Sequence, residues 1–124
     1  DIKRNKKEEL MIHDSSVEVN EFMVNGIGMW LDKATRAGLM LRFQAEQNAG
    51  QEDTTLWYDG LPFPLKVADA LQMLYTIEIY ASSCYDNTQY HASIIDSFST
   101  EEEVENYDFR TGYPEKLNFN FDVI

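Results

Sequence analysis

The longest hydrophobic pattern in the chain occupies residues 67–98, a stretch without Pro or Gly. Its apolar residues recur every three or four positions, which is the spacing of one face of an α-helix and predicts one long central helix. A straight helix of this length spans ~48 Å, more than the ~26–30 Å diameter of a compact domain of this size. We therefore expect the helix to bend near residues 82–87, where poor helix formers cluster, or to project beyond its core.

A β-hairpin is predicted around Asn25-Gly26, between alternating residues 18–24 and 27–31. Both central residues of a type I′ turn need positive φ, which Asn and Gly tolerate. The two-residue loop sets two cross-strand pairs, Val24 with Ile27 and Phe22 with Met29. These four residues form an apolar face that should pack on the helices.

A second hairpin is predicted around Asp59-Gly60, between residues 54–58 and 61–65. Pro62 and Pro64 lack a main-chain N–H, so the returning strand should be short or lie at a sheet edge.

Three shorter helices complete the predicted elements. Residues 2–12 are rich in Lys and Glu, and we interpret residues 1–16 as a helical linker from an upstream domain. Asp32 is a suitable N-cap for a helix through residue 48, with Gly50 in the left-handed position after it. The predicted buried residues of that helix are Ala37, Leu39, Met40, Phe43 and Ala45. Thr100 and Glu103 have capping-box spacing at the start of a helix over 101–107.

The C-terminal residues 108–124 contain the breakers Gly112 and Pro114, and end in an alternating segment that carries Phe119 and Phe121. Such a segment can pair with a sheet edge or with another chain. The predicted fold class is α+β, with one or two β-hairpins on about three helices. Residues 17–124 are predicted to form its single domain.

The amino-acid composition says more about the possible binding partners of the chain than about its fold. The 124 residues include 22 acidic and 10 basic side chains, a net charge of −12, which opposes binding to a nucleic-acid backbone. Four basic residues near the N-terminus form either an arm for nucleic acid or membrane or a solvated helix face, and the second is favoured. These are Lys3, Arg4, Lys6 and Lys7. No hydrophobic run has the length of a membrane span.

Candidate catalytic and metal-binding residues are few. Cys84 lies on the apolar face of the central helix, where a buried, unreactive thiol is expected. His13 and His91 lack partners at metal-ligand spacing, and the acidic run 101–105 lacks the pattern of a calcium loop. No nucleophile elbow or phosphate-binding loop occurs. We expect no catalytic residue, no metal, no cofactor and no small-molecule substrate.

Aromatic residues offer the clearest candidate binding surface. Four of them could form a platform for a sugar or a protein partner, although aromatic residues at strand and helix ends more often complete a small core. These are Trp30, Trp57, Tyr58 and Tyr107. The two C-terminal phenylalanines are additional candidates.

The order of these motifs resembles a small domain of unknown function found in phage and prophage tail-region proteins, in the form seen in prophages of gut bacteria. The resemblance covers residues 17–119. Its motifs are Asn25-Gly26, residues 29–33 with Thr35-Arg36, residues 54–60, a long helix with His91, residues 102–105 with Tyr107-Asp108, and residues 112–117.

The resemblance implies a non-enzymatic role in a tail, a tail fibre or its assembly, in the host cytoplasm during assembly and then in the virion. Its expected partners are other tail or virion proteins, with self-association as an alternative, and neither nucleic acid nor membrane. A second hypothesis is a receptor- or glycan-binding module that uses the Trp/Tyr cluster. An aromatic groove flanked by polar side chains would favour glycan binding, and a flat apolar patch would favour assembly.

Overall fold

The structure is a computed structural model, and it describes residues 1–122. Within these residues the chain forms an α+β fold with five helices and two small sheets. The helices are α1 (Ile2–Asp14), α2 (Val17–Asn20), α3 (Lys33–Asn48), α4 (Val67–Ser97) and α5 (Glu101–Asn106). The strands are β1 (Phe22–Val24), β2 (Ile27–Met29), β3 (Asp53–Tyr58), β4 (Leu61–Lys66) and β5 (Asn118–Phe119). The predicted fold class, with its long central helix, is confirmed.

The chain divides into two compact units that differ from the predicted domains. The first unit comprises Asp1–Glu21 and Tyr80–Lys116, and the second comprises Phe22–Ile79 and the described residues from Leu117 onward. Helix α4 contributes residues 67–79 to the second unit and its remaining residues to the first.

Residues 1–16, interpreted from sequence as a linker, contribute to the core of the first unit. Leu10 of α1 is fully buried and packs with Ile95, Val104 and Phe109. The Lys/Glu-rich composition concealed this role, because Leu10 is the one fully buried apolar side chain of α1.

Residues 17–20 form the short helix α2 and not the beginning of a strand. The side-chain amide of Asn20 donates to the carbonyl oxygens of Asp14 and Ser16, at 2.7 and 2.8 Å. These bonds stabilise a helical turn that the alternating hydrophobic pattern does not reveal.

In the second unit, the first hairpin has the predicted turn and register. Asn25 and Gly26 have φ values of 49° and 81°, and Phe22 pairs with Met29 while Val24 pairs with Ile27. Strand β5 then pairs in parallel with β1, giving the order β2-β1-β5. The predicted pairing of the C-terminal segment with a sheet edge is therefore confirmed for β5, while residues 123–124 of that segment lie outside the described residues.

Strands β3 and β4 form the second predicted hairpin, with positive φ at Asp59 and Gly60. Helix α3 begins after Asp32, whose carboxylate accepts from the Thr35 N–H at 2.7 Å. The core of this unit joins both hairpins to α3 and to the first part of α4. Its fully buried side chains include Met29, Phe43, Leu56, Met73 and Leu74.

Helix α4 is unbroken across residues 82–87, where a bend was one of two expectations. In the described part of the chain, no helix is long and apolar enough to cross a membrane.

Candidate functional site

Three polar side chains are buried in the first unit as the structure describes it, and two of them, Thr88 and His91, belong to α4. His91 is the less exposed of the two buried histidines. Its side chain is 2% exposed. Nε2 lies 2.6 Å from the carbonyl oxygen of Thr111, and Nδ1 lies 2.5 Å from the hydroxyl oxygen of Tyr107. A carbonyl oxygen can only accept, so Nε2 carries the proton and Nδ1 of the neutral ring accepts from Tyr107.

Thr88 lies one helical turn before His91 and is 1% exposed. Its hydroxyl donates to the Asp14 carboxylate at 2.7 Å, and it lies 2.7 Å from the hydroxyl of Tyr113. Because the single Thr88 proton goes to Asp14, the Tyr113 hydroxyl is the donor of the second bond. Thr88 and His91 thus connect α4 to α1 and to the segment after α5.

Asn87 and Gly112 hold the same segment against α4. The Asn87 amide donates to the Thr111 carbonyl at 2.8 Å, and that oxygen therefore accepts two hydrogen bonds. Gly112 has a φ of +83°, and a Cβ at this position would lie 2.5 Å from the Asn87 Oδ1. Glycine is favoured here by its positive φ, and a Cβ would force the Asn87 side chain to move.

His13 packs beside this network and not at the surface. Its ring lies edge-on to Tyr113, with centroids 5.3 Å apart, and it is tilted against Phe109 at 5.9 Å. Its Nδ1 lies 3.8 Å from a carboxylate oxygen of the exposed Glu18.

The arrangement supports a structural role for these residues. The His91 side chain is 2% exposed, and its two nitrogens bond Tyr107 and Thr111, so the ring holds the segment after α5 against α4. In residues 1–122 no group of three or more His, Cys, Asp and Glu side chains could hold a metal ion.

Cys84 is buried on α4, as expected from its position in the sequence. Burial raises the pKa of its thiol above the ordinary value, so the thiol stays protonated at neutral pH. A protonated, buried thiol is a poor nucleophile.

The acidic residues at the start of α5 act as a helix cap. The Thr100 hydroxyl accepts from the Glu103 N–H at 3.2 Å, and the Glu103 carboxylate accepts from the Thr100 N–H at 3.1 Å. This is the predicted capping box, and it uses one of the carboxylates of the run 101–105.

Among the aromatic candidates of the second unit, Trp30 and Tyr58 lie together and Trp57 does not join them. The main-chain N–H of Trp30 donates to the Tyr58 hydroxyl at 3.1 Å, so these two residues are adjacent. Trp57 is 61% exposed and, as the neighbour of Tyr58 in β3, projects from the opposite face of the hairpin. Tyr107 belongs to the first unit and bonds His91.

Phe119 and Phe121 complete the core of the second unit. Their rings are nearly parallel, with centroids 6.0 Å apart, and Phe119 lies edge-on to Phe22. Phe121 lines an apolar crevice of about 80 Å³ beside β4. This is well below the roughly 300–1,000 Å³ of typical small-molecule sites.

Helix α3 has an uncharged outer face. Phe43 is buried, and Leu39 and Met40 are half-buried, as predicted, but Ala37 and Ala45 are exposed. The outer face, named here the α3 face, consists of Ala34, Ala37, Gly38, Leu41 and Ala45. Leu41 is 71% exposed, and no atom lies within 4 Å of the place that a Cβ on Gly38 would occupy.

Sequence reasoning missed Asn87, Thr88 and Thr111 as members of one network. The available signals were Gly112 beside Tyr113 and the three-residue spacing of Thr88 and His91 on an apolar helix face. Neither signal identifies the partner atoms, because those atoms come from segments distant in sequence.

Comparisons with models of protein families, with curated proteins and with solved structures found no match to this chain.

Proposed function

We propose that this chain is a non-enzymatic protein-interaction module of a phage or prophage tail or tail fibre, or of a factor that assembles one. The observation that carries the interaction role is the α3 face, on which Leu41 is 71% exposed. The tail setting is supported by the sequence resemblance over residues 17–119.

The α3 face has the chemistry of a protein contact. Its five residues extend over three helical turns without a charged side chain, in a chain whose net charge is −12. Small side chains let a second helix approach closely, since the distance between packed helix axes depends on the residues at the contact. Leu41, 71% exposed, is the large apolar side chain that this face offers to a partner helix.

Gly38 supports the same role. Glycine within a helix is less stable than alanine by about 0.5–1 kcal/mol. No positive φ and no close neighbour within the described residues requires glycine at this position. A partner helix that packs closely against the α3 face would explain why glycine occupies position 38.

The partners that we propose are other tail or virion proteins, in the host cytoplasm during assembly and then in the virion. Self-association through the α3 face is the alternative. The net charge of −12 weighs against nucleic acid as the partner.

The test is site-specific photocrosslinking from position 41 in cells that assemble the phage particle, followed by mass spectrometry. We expect cross-links to an identified tail protein, and we expect Leu41→Glu to prevent co-purification with tails. Gln47→Glu is the matched control, because it also introduces a glutamate at an exposed position of α3, but on the side of the helix away from the α3 face. Cross-links only between copies of the chain would favour self-association, and the absence of any cross-link would contradict the proposal.

The glycan-binding hypothesis rests on the contact between Trp30 and Tyr58, since Trp30 is 38% exposed. It has less support, because Trp57 faces the opposite side of the hairpin from Tyr58. Loss of glycan-array binding in Trp30→Ala would favour it over the assembly role.

A further inference from the structure

Strand β3 has one edge paired with β4 and one edge directed outward. The Val67 N–H donates to the Glu52 carbonyl at 2.8 Å, so these two residues form a hydrogen-bonded pair just before the hairpin ladder. Hydrogen-bonded and non-hydrogen-bonded residue pairs alternate along an antiparallel ladder. Since Glu52 belongs to a hydrogen-bonded pair, every second residue after it belongs to a non-hydrogen-bonded pair and directs its N–H and C=O away from β4. These residues are Asp53, Thr55 and Trp57.

The first hairpin shows how a strand uses such an edge. The main-chain N–H groups of Met23 and Asn25 point away from β2 and donate to Leu117 and Phe119, at 3.0 and 2.8 Å. At the corresponding edge of β3, the described residues provide no strand, because that sheet consists of β3 and β4. Within residues 1–122, the main-chain N–H groups of Thr55 and Trp57 have no hydrogen-bond partner.

The other outer edge of the hairpin is protected. On β4 the outward-directed residues include Pro62 and Pro64, which have no N–H to donate. Proline at an edge is a common device against strand addition. The two edges of one hairpin thus differ, and β3 is the edge that can accept a strand.

We infer that the outer edge of β3 binds an extended, basic segment of a partner protein as an added β-strand, with Trp57 as the apolar anchor. This inference rests on the proposed interaction role and specifies the chemistry of one partner. Thr55 and Trp57 supply donors and acceptors at the two-residue period that only an extended main chain matches. The exposed indole of Trp57 gives the added strand a large side chain to pack against.

The charge near β3 indicates whether the added strand comes from a second copy of this chain or from a different protein. Glu52 and Asp59 flank the two ends of β3, and neither forms an ion pair among the described residues. A second copy of this chain would also carry a net charge of −12. Like charges oppose such pairing, whereas a basic strand is attracted to this edge.

Hydrogen exchange measured by NMR tests the geometry in the free chain. We expect the Thr55 and Trp57 amides to exchange quickly, and the Leu56 and Phe63 amides, which point into the hairpin, to be protected. Protection of Thr55 and Trp57 in the free chain would overturn the inference, because the edge would then be occupied.

Selection from a library of random peptides displayed on yeast tests the binding. We expect enriched peptides that alternate β-branched residues and contain Lys or Arg, and that protect the Thr55 and Trp57 amides when bound. Thr55→Pro should weaken their affinity about tenfold, since it removes a main-chain donor that the β4 ladder does not use. Trp57→Thr keeps strand propensity and should also weaken binding, so the test does not depend on one variant that might misfold.

Two variants distinguish a failure of this inference from a failure of the proposed function. Leu41→Glu should leave the affinity of the selected peptides unchanged, and Thr55→Pro should leave cross-linking from position 41 unchanged. No enriched peptide, an affinity insensitive to Thr55→Pro, or pairing of β3 with a second copy would each overturn the inference.

Discussion

The Nε2 atom of His91 lies 2.6 Å from the carbonyl oxygen of Thr111, and this contact fixes the tautomer of a buried imidazole. Because Nε2 must donate, Nδ1 of the singly protonated ring is the acceptor for the Tyr107 hydroxyl at 2.5 Å. Two bonds from one ring thus attach the chain after α5 to α4.

Tyr107→Phe should lower the free energy of unfolding by about 1–3 kcal/mol, the usual effect of leaving a buried acceptor without its donor. Urea denaturation of the purified chain measures this change. Tyr90→Phe is the matched control, because Tyr90 is exposed and its hydroxyl forms no hydrogen bond with the described residues. Equal stability of the two variants would contradict the assigned role of Tyr107.

Nitrogen NMR of the imidazole rings tests the tautomer directly. We expect His91 at neutral pH to carry its proton on Nε2, and we expect the Nδ1 shift to move in Tyr107→Phe. A ring protonated on Nδ1 alone would be inconsistent with donation to Thr111.

Gly112→Ala should destabilise the chain by about 1–3 kcal/mol, the range for a residue held in a sparsely populated backbone conformation. The added Cβ also lies 2.5 Å from the Asn87 Oδ1. In the double variant with Asn87→Ala the clash is absent but the backbone strain remains. The two changes should therefore couple, with the double variant less destabilised than the sum of the single ones. Additive effects in thermal unfolding would show that the contact does not matter.

The local parts of the fold were predictable because short sequence segments specify them. Asn25-Gly26 fixes the turn and hence the register of a whole hairpin, and Thr100 with Glu103 fixes a helix start. In both cases the interacting groups lie within a few residues of one another.

The non-local parts were not predictable. Ala37 and Ala45 are small and apolar, and such side chains are compatible with either side of a helix. In α3 both are exposed, while Phe43 is buried and Leu39 and Met40 are half-buried. Trp57 and Tyr58 illustrate a different point: adjacent residues of a strand face opposite sides, so these two candidates do not share one surface.

Gly26→Val should destabilise the first hairpin by about 1–2 kcal/mol, because a β-branched residue tolerates positive φ poorly. No atom lies within 4 Å of a Cβ at this position, so the effect is one of backbone conformation and not of packing. Gly38→Ala is the opposite control: it lies in a helix with open space around it and should stabilise by about 0.5–1 kcal/mol. An unchanged melting temperature in Gly26→Val would contradict the type I′ turn.

Tyr80 should make the stability of the chain sensitive to alkaline pH. Its hydroxyl donates to the Val19 carbonyl at 2.6 Å, and burial raises the pKa of this phenol well above its ordinary value. A group whose pKa is higher in the folded state stabilises that state fully below its unfolded pKa, about 10 for tyrosine, and loses this contribution as the pH rises above it. We therefore expect the difference in unfolding free energy between the wild type and Tyr80→Phe to be constant up to about pH 9 and to shrink above pH 10. Urea midpoints measured across this range provide the test, and a difference that stays constant up to about pH 11 would show that Tyr80 ionises equally in both states.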